Sequence, residues 1–133
     1  MCLQGASATE TLLERINDPN LRVLVVWEPI LPTDWQQPTT AVLARLHNPS
    51  VVQFWDHDHL VARAISRELV SDPAGPKPHC CTSRGNLWDF AGLYPEGALW
   101  QRAAPRPVFA DGPVAHVQAG LARGLATVRS QKK

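Results

Sequence analysis

The sequence predicts a single α/β domain, a mixed sheet of four to five strands flanked by helices. Three observations carry that expectation. The stretch "LRVLVVW" (21–27) is a nearly unbroken β-branched run, the kind that is buried on both faces in the middle of a parallel or mixed sheet. A second run, "VVQFWD" (51–56), follows after a helix-sized interval rather than a hairpin turn. Amphipathic segments before, between and after the two strands give the order αβαβα up to Val70. With 133 residues, the whole span 1–133 fits one domain able to bury roughly two-thirds of its unfolded surface.

The elements can be justified in turn. Ser7 and Glu10 form a capping-box pattern ahead of Leu12, Leu13 and Ile16, and Asn17–Asp18–Pro19–Asn20 stops that helix. After the first strand, "EPILPTDWQQ" (28–37) is a Pro-punctuated loop, and Pro38 suits the first turn of a helix striped with Val42, Leu43 and Leu46. Asp56 or Asp58 is the expected N-cap of a third helix, with Leu60, Val61, Ala64, Ile65 and Leu69 facing the core. The loop "SDPAGPKPHCCTSRGN" (71–86) is longer than an ordinary connection, and loops of that length commonly carry function. "LWDFAGLY" (87–94) reads as a third strand and "PVFADGPVAHV" (107–117) as a hairpin turning at Asp111–Gly112. A last helix carries Val117, Leu121, Leu125 and Val128 on one side.

Composition excludes several classes. The formal net charge is +1, and like charges gather only in the short Arg129–Lys133 tail, so neither nucleic acid nor a membrane surface is expected as a partner. The run Val23–Trp27 is far short of the ~20 apolar residues that span a bilayer. The start "MCLQGASATE" lacks the features of a secretory leader, giving a cytoplasmic expectation for the chain as it stands; an exported protein whose leader has been removed is the other reading. Three cysteines are too few for a disulfide scaffold, and no phosphate loop, dinucleotide fingerprint or serine elbow is present.

The strand ending in Trp27 and running into a Pro-containing loop and helix, the second parallel strand with its helix, and "PRPVFADGPV" before an amphipathic C-terminal helix together resemble the thioredoxin-fold superfamily. The resemblance covers about residues 20–128, with an irregular insertion at about 71–106. It implies that Pro107 occupies the family's cis-proline position and faces the 28–37 loop. The family's Cys-x-x-Cys is missing, since "WEPILPTDWQQP" contains no cysteine. The chain thus resembles a divergent member to which no catalytic cysteine of the family carries over.

The octapeptide "PHCCTSRG" (78–85) is the chief chemical candidate. Cys80 and Cys81 would be its reactive pair, with His79 and Arg84 supplying positive charge that lowers a thiol pKa. Adjacent Cα atoms sit about 3.8 Å apart, whereas relaxed disulfides favour about 4.4–6.8 Å, so a bond between neighbours suits a reversible switch better than a staple. Two close thiols can also capture a soft metal ion or metalloid. The plainer reading is that both cysteines act as small hydrophobes beneath the loop.

In "WDHDH" (55–59), His57 and His59 could join Cys80 and Cys81 as metal ligands, although neither half has the usual ligand spacing and helix capping accounts for the aspartates. The five tryptophans fall at strand ends and in loops, where they either line a cleft at the C-terminal edge of the sheet or anchor the core. Glu28 and Asp34 are carboxylates in the same loop that could serve as acid or base. Three readings stay open. The first is a thiol-dependent redox or thiophilic-ligand protein with a protein thiol partner, its activity of the thiol–disulfide oxidoreductase kind. The second is a non-catalytic thioredoxin-fold binding module using Trp-lined loops at 28–37 and 95–104. The third is a Cys/His metal-binding protein.

Overall fold

The structure, a computed structural model, describes residues 3–83 and 85–130. Arg84 and the last three residues of the basic tail lie outside the described residues. The chain folds as a mixed α/β protein whose first helix, α1, spans Leu3–Ile16. It begins upstream of Ser7, so Ser7 and Glu10 lie inside the helix and form no capping box. Glu10 is instead buried, and its carboxylate accepts the backbone N–H groups of His47 (3.2 Å) and Asn48 (3.3 Å). The helix stops where expected. Asn17 adopts the left-handed conformation and its N–H donates to the Leu13 carbonyl, as short polar residues do at helix ends.

Strands β1 (Val23–Trp27) and β2 (Val51–Trp55) pair in parallel, with Val23 opposite Val51 and Trp27 opposite Trp55. The connection between them holds a short helix, α2 (Thr40–Leu43), whose N-cap is Thr39, so Pro38 precedes the helix instead of lying in its first turn. Val25, Trp27, Val51 and Trp55 face α1 and α2, in a core with Ala6, Val42, Leu43 and Leu46. The Trp27 indole N–H donates to Gln53 Oε1 (2.9 Å), and Gln53 Nε2 in turn donates to the carbonyls of Leu43 and Leu46, tying that core to the loop after α2.

The opposite face of this ladder is open. Leu24 is 68% exposed and Val52 and Phe54 are each 50% exposed, so β1 is not the doubly buried strand its composition predicts. The reason is that the strands among the described residues form three separate two-stranded ladders rather than one sheet of four or five. Helices cover only one side of the first ladder.

Helix α3 spans Leu60–Ser71, and its N-cap position is His59 rather than Asp56 or Asp58; the buried Asp56 carboxylate nonetheless accepts the N–H groups of Leu60 (2.9 Å) and Val61 (2.8 Å) in its first turn. Its buried face is Ala62, Ser66 and Leu69, with Ile65 partly covered, while Leu60 is largely exposed. The face is rotated from the expected stripe because Ala62 and Leu69 of α3 pack on Leu87 of the second ladder and on Ala110, which belongs to the third ladder (Ala91–Leu93 with Phe109–Asp111).

The expected strand over 87–94 is broken into two. Its beginning pairs as β4 (Asn86–Leu87) with β3 (Thr82–Ser83), and its end forms β5 (Ala91–Leu93). Asp89, at φ 46°, makes the break. The expected hairpin over 107–117 is also absent. β6 (Phe109–Asp111) pairs antiparallel with β5, and the chain then passes through Gly112–Pro113 and a 3-10 turn (Val114–His116) into α4 (Gln118–Ser130). Arg129 at the far end of α4 pairs with Asp18, drawing the C-terminal helix back to the turn after α1. No helix among the described residues is long and apolar enough to cross a membrane.

Candidate functional site

Cys80 and Cys81 are joined to each other by a disulfide, with their Cα atoms 3.7 Å apart. Cys81 adopts φ 69°, and its carbonyl accepts the Trp88 N–H (3.0 Å) at the base of the β3–β4 hairpin. Only 9% of Cys81 is exposed, whereas Cys80 is partly open to solvent, so the two sulfurs differ in access.

The pair is held by Asp111 and Gly112. Asp111 at the end of β6 accepts the His79 backbone N–H (2.8 Å) and contacts His79 Nδ1 (2.8 Å), and it also accepts the Gly112 N–H (2.9 Å). The bond from the His79 N–H holds the Asp111 carboxyl below its ordinary range, with the imidazole and the Gly112 N–H adding to the effect. Next in the chain, Gly112 lies against the disulfide. A Cβ placed there would stand 3.0 Å from Cys81 Sγ, 3.3 Å from Cys80 Sγ and 2.5 Å from the Asp89 carbonyl oxygen. Only a residue without a side chain leaves room for both sulfurs and that backbone. In sequence, Asp111–Gly112 signals a turn, and that signal hid its role as a seat for the cysteine pair.

The cis X–Pro bond among the described residues is Gly112–Pro113, beside the disulfide, and not the bond before Pro107. The cis bond expected before Pro107 is therefore not found. Pro107 itself lies just before β6, where the following N–H of Val108 donates to the Leu93 carbonyl (2.7 Å). Arg84 lies outside the described residues, so of the two residues expected to support the thiols only His79 is placed, and it is turned toward Asp111.

A second cluster forms where β1 and β2 end. The 28–37 loop and the start of α3 enclose a cleft of about 630 Å3, lined on its apolar part by Ile30, Leu31 and Trp35 and on its polar part by His57, His59 and Arg63. His59 sits at φ 57° immediately before α3, and its Nδ1 lies 2.7 Å from Glu28 Oε2. Both side chains are largely enclosed, Glu28 at 12% and His59 at 21% exposure. Burial pushes the Glu28 carboxyl above its ordinary pKa, with His59 acting in the opposite sense. His57 turns its Nδ1 to Asp58 (2.8 Å) and lies within 6.5 Å of both the Trp35 and Trp55 rings.

The expected Cys/His metal set is not assembled. The two sulfurs are bonded to each other, His59 is engaged by Glu28, and His57 by Asp58. The side chains close enough to share an ion, among the described residues, are Glu10, Glu14 and His47. The tryptophans divide as well. Trp35 lines the cleft, Trp27 is a core residue, and Trp100 stands exposed on the 95–104 connector. No protein-family model, curated protein or solved structure matches this chain.

Proposed function

We propose that this protein is a thiol–disulfide redox protein of thioredoxin-like type, whose working group is the vicinal pair Cys80–Cys81. One observation carries the reading. A bonded pair with unequal access, on a loop clamped by Asp111, is seated against a glycine that leaves both sulfurs room. A pair that served only as apolar filler would not need that seat, nor a left-handed cysteine to present it.

The reaction runs as an exchange with a partner dithiol. A partner thiolate attacks Cys80 Sγ, the more accessible sulfur, and the Cys80–Cys81 bond breaks with Cys81 leaving as a thiolate that takes up a proton. The partner's second thiolate attacks the mixed disulfide and releases Cys80, which is then protonated. The protein gains two electrons and two protons, and the partner leaves as a disulfide. The Asp111–His79 clamp acts as a positioning element, fixing the loop from which Cys80 is offered.

The test is native-state alkylation with intact-mass readout, before and after dithiothreitol. Expected is labelling at Cys80 and Cys81 only after reduction, and recovery of the unlabelled pair when oxidised glutathione is added. Two results overturn the reading: a pair that stays inaccessible after reductant under native conditions, or one that does not close again.

A further inference from the structure

The cleft at the ends of β1 and β2 is separate from the cysteine pair and unused by the proposed exchange. Its floor is formed where parallel strands finish, the usual position for a ligand in an open α/β arrangement. The loop that walls it holds Pro29 and Pro32, which fix the backbone before anything binds. Ile30, Leu31 and Trp35 stand exposed on this wall, giving an apolar surface that solvent covers poorly.

The polar side is ordered rather than loose. Glu28 orients the His59 ring through Nδ1, which leaves Nε2 as the ring nitrogen available to the cleft. Glu28 and Asp58 each commit an oxygen to an imidazole, and Asp58 stands in open solvent, where its charge is screened. Arg63 differs. Its Nε donates to Asn86 Oδ1 (3.3 Å), which aims the guanidinium, and among the described residues it forms no ion pair. Its two terminal amino groups are thus an unused donor fork beside an apolar wall, the geometry that takes a carboxylate in two parallel hydrogen bonds.

We propose that this cleft is a binding site for a small organic acid, with the ligand's carboxylate on Arg63, a polar contact to His59 Nε2, and an apolar or aromatic body on Ile30, Leu31 and Trp35. The site does not depend on the state of the cysteine pair, so it stands or falls independently of the redox reading.

The experiment titrates 15N-labelled full chain with 3-phenylpropionate and with its uncharged counterpart 3-phenylpropan-1-ol, following the Trp35 indole N–H resonance. Expected is a saturable shift with the acid and an affinity for the alcohol lower by about tenfold or more, the usual weight of a charge-assisted contact. Arg63→Gln should weaken the acid by a similar factor and leave the alcohol unchanged. Ile30→Asp, at an exposed position, should weaken the acid while leaving Arg63 in place. The proposal is overturned by the absence of a saturable shift, by equal affinities for acid and alcohol, or by a folded Arg63→Gln that binds the acid as tightly as the parent. Should Arg63→Gln not fold, as read by circular dichroism, Ile30→Asp decides: unchanged acid affinity refutes the site.

Discussion

Gly112→Ala is the most direct probe of how the cysteine pair is seated. The new methyl group would fall 2.5 Å from the Asp89 carbonyl oxygen and 3.0 Å from Cys81 Sγ. Neither obstacle is the far end of a flexible side chain. The oxygen belongs to a backbone whose neighbouring Val114 N–H is bonded to it (3.1 Å), and the sulfur is locked by the disulfide. Overpacking of this kind costs about 1–3 kcal/mol. At this chain length that corresponds to a fall in melting temperature of about 4 °C for each kcal/mol, or about 4–12 °C in the oxidised protein. Reduction changes the sum in a defined way. Free thiols can rotate away from the methyl group, whereas the Asp89 oxygen cannot, so the penalty should shrink by about 1 kcal/mol without vanishing. That difference must appear as a shift of the reduction equilibrium toward the dithiol of about fivefold. The assay is a thermal melt of parent and variant with and without dithiothreitol, joined to a glutathione redox titration. A variant that melts like the parent in both states would show that Gly112 is not closely approached. Equal losses in both states would show that the close approach excludes the sulfurs.

The other predictions concern the residues that hold the two sites. Asp111→Asn should free the loop at 78–81, raising amide exchange at His79 and Gly112 by about tenfold, as expected for a lost charge-assisted bond. Because the Asp111 carboxyl is depressed when folded, the stability it contributes is fully present above its ordinary pKa of about 4 and lost as pH falls through the lower folded value. Amide exchange at His79 in the parent should therefore rise only in that acid range, and a parent profile flat down to pH 2 would count against the clamp. Glu28 has the opposite sign. Its carboxyl is raised by burial, so its ionisation opposes folding progressively as pH climbs above the ordinary value of about 4.3. Glu28→Gln should accordingly flatten the decline of melting temperature with pH in the weakly acid range, checked by melts across a pH series. Gln53→Leu should cost about 1–3 kcal/mol, since it leaves the Trp27 indole N–H and the Leu43 and Leu46 carbonyls without their partner; chemical denaturation measures it.

What was legible in the sequence was local. β-branched runs located β1 and β2 to within two residues, and of the two aspartates expected near the start of α3 Asp56 serves its first N–H groups, only four and five positions away, although the N-cap position itself is His59. What was illegible was long-range. Glu10 looks like part of a capping box, yet its partners are thirty-seven and thirty-eight residues on. Asp111–Gly112 has the letters of a tight turn, and only the return of the chain past Cys81 turns it into a seat for sulfur. The same holds for Glu28 and His59, thirty-one residues apart and without any spacing signature. They meet because Trp27 and Trp55 are in register, so the residues that follow each strand emerge side by side. A pattern within one strand also cannot say how many ladders will share a sheet, which is why β1 was expected to be covered on both faces.

The backbone offers an argument that ties the two sites to the same economy. Four described residues other than glycine have positive φ: Asn17, His59, Cys81 and Asp89. Asn17 is an ordinary helix end, but the other three sit in the cleft or around the disulfide. Such conformations cost of order 1–3 kcal/mol each; asparagine, aspartate and histidine visit this region more readily than other side chains, and Cys81 lacks that ease. A small domain has a net stability of about 5–15 kcal/mol, and among the described residues no large side chain is sealed entirely from solvent to add to it. Each strained residue is accordingly held by a specific bond: Glu28 on His59, the Trp88 N–H on the Cys81 carbonyl, and the Val114 N–H on Asp89. Relieving the strain at Cys81 would turn the sulfurs away from Gly112, and relieving it at His59 would break the imidazole–carboxylate pair. Two of these three residues, His59 and Cys81, carry the side chains on which the proposed cleft and the proposed exchange rest, so strain and chemical capability coincide there.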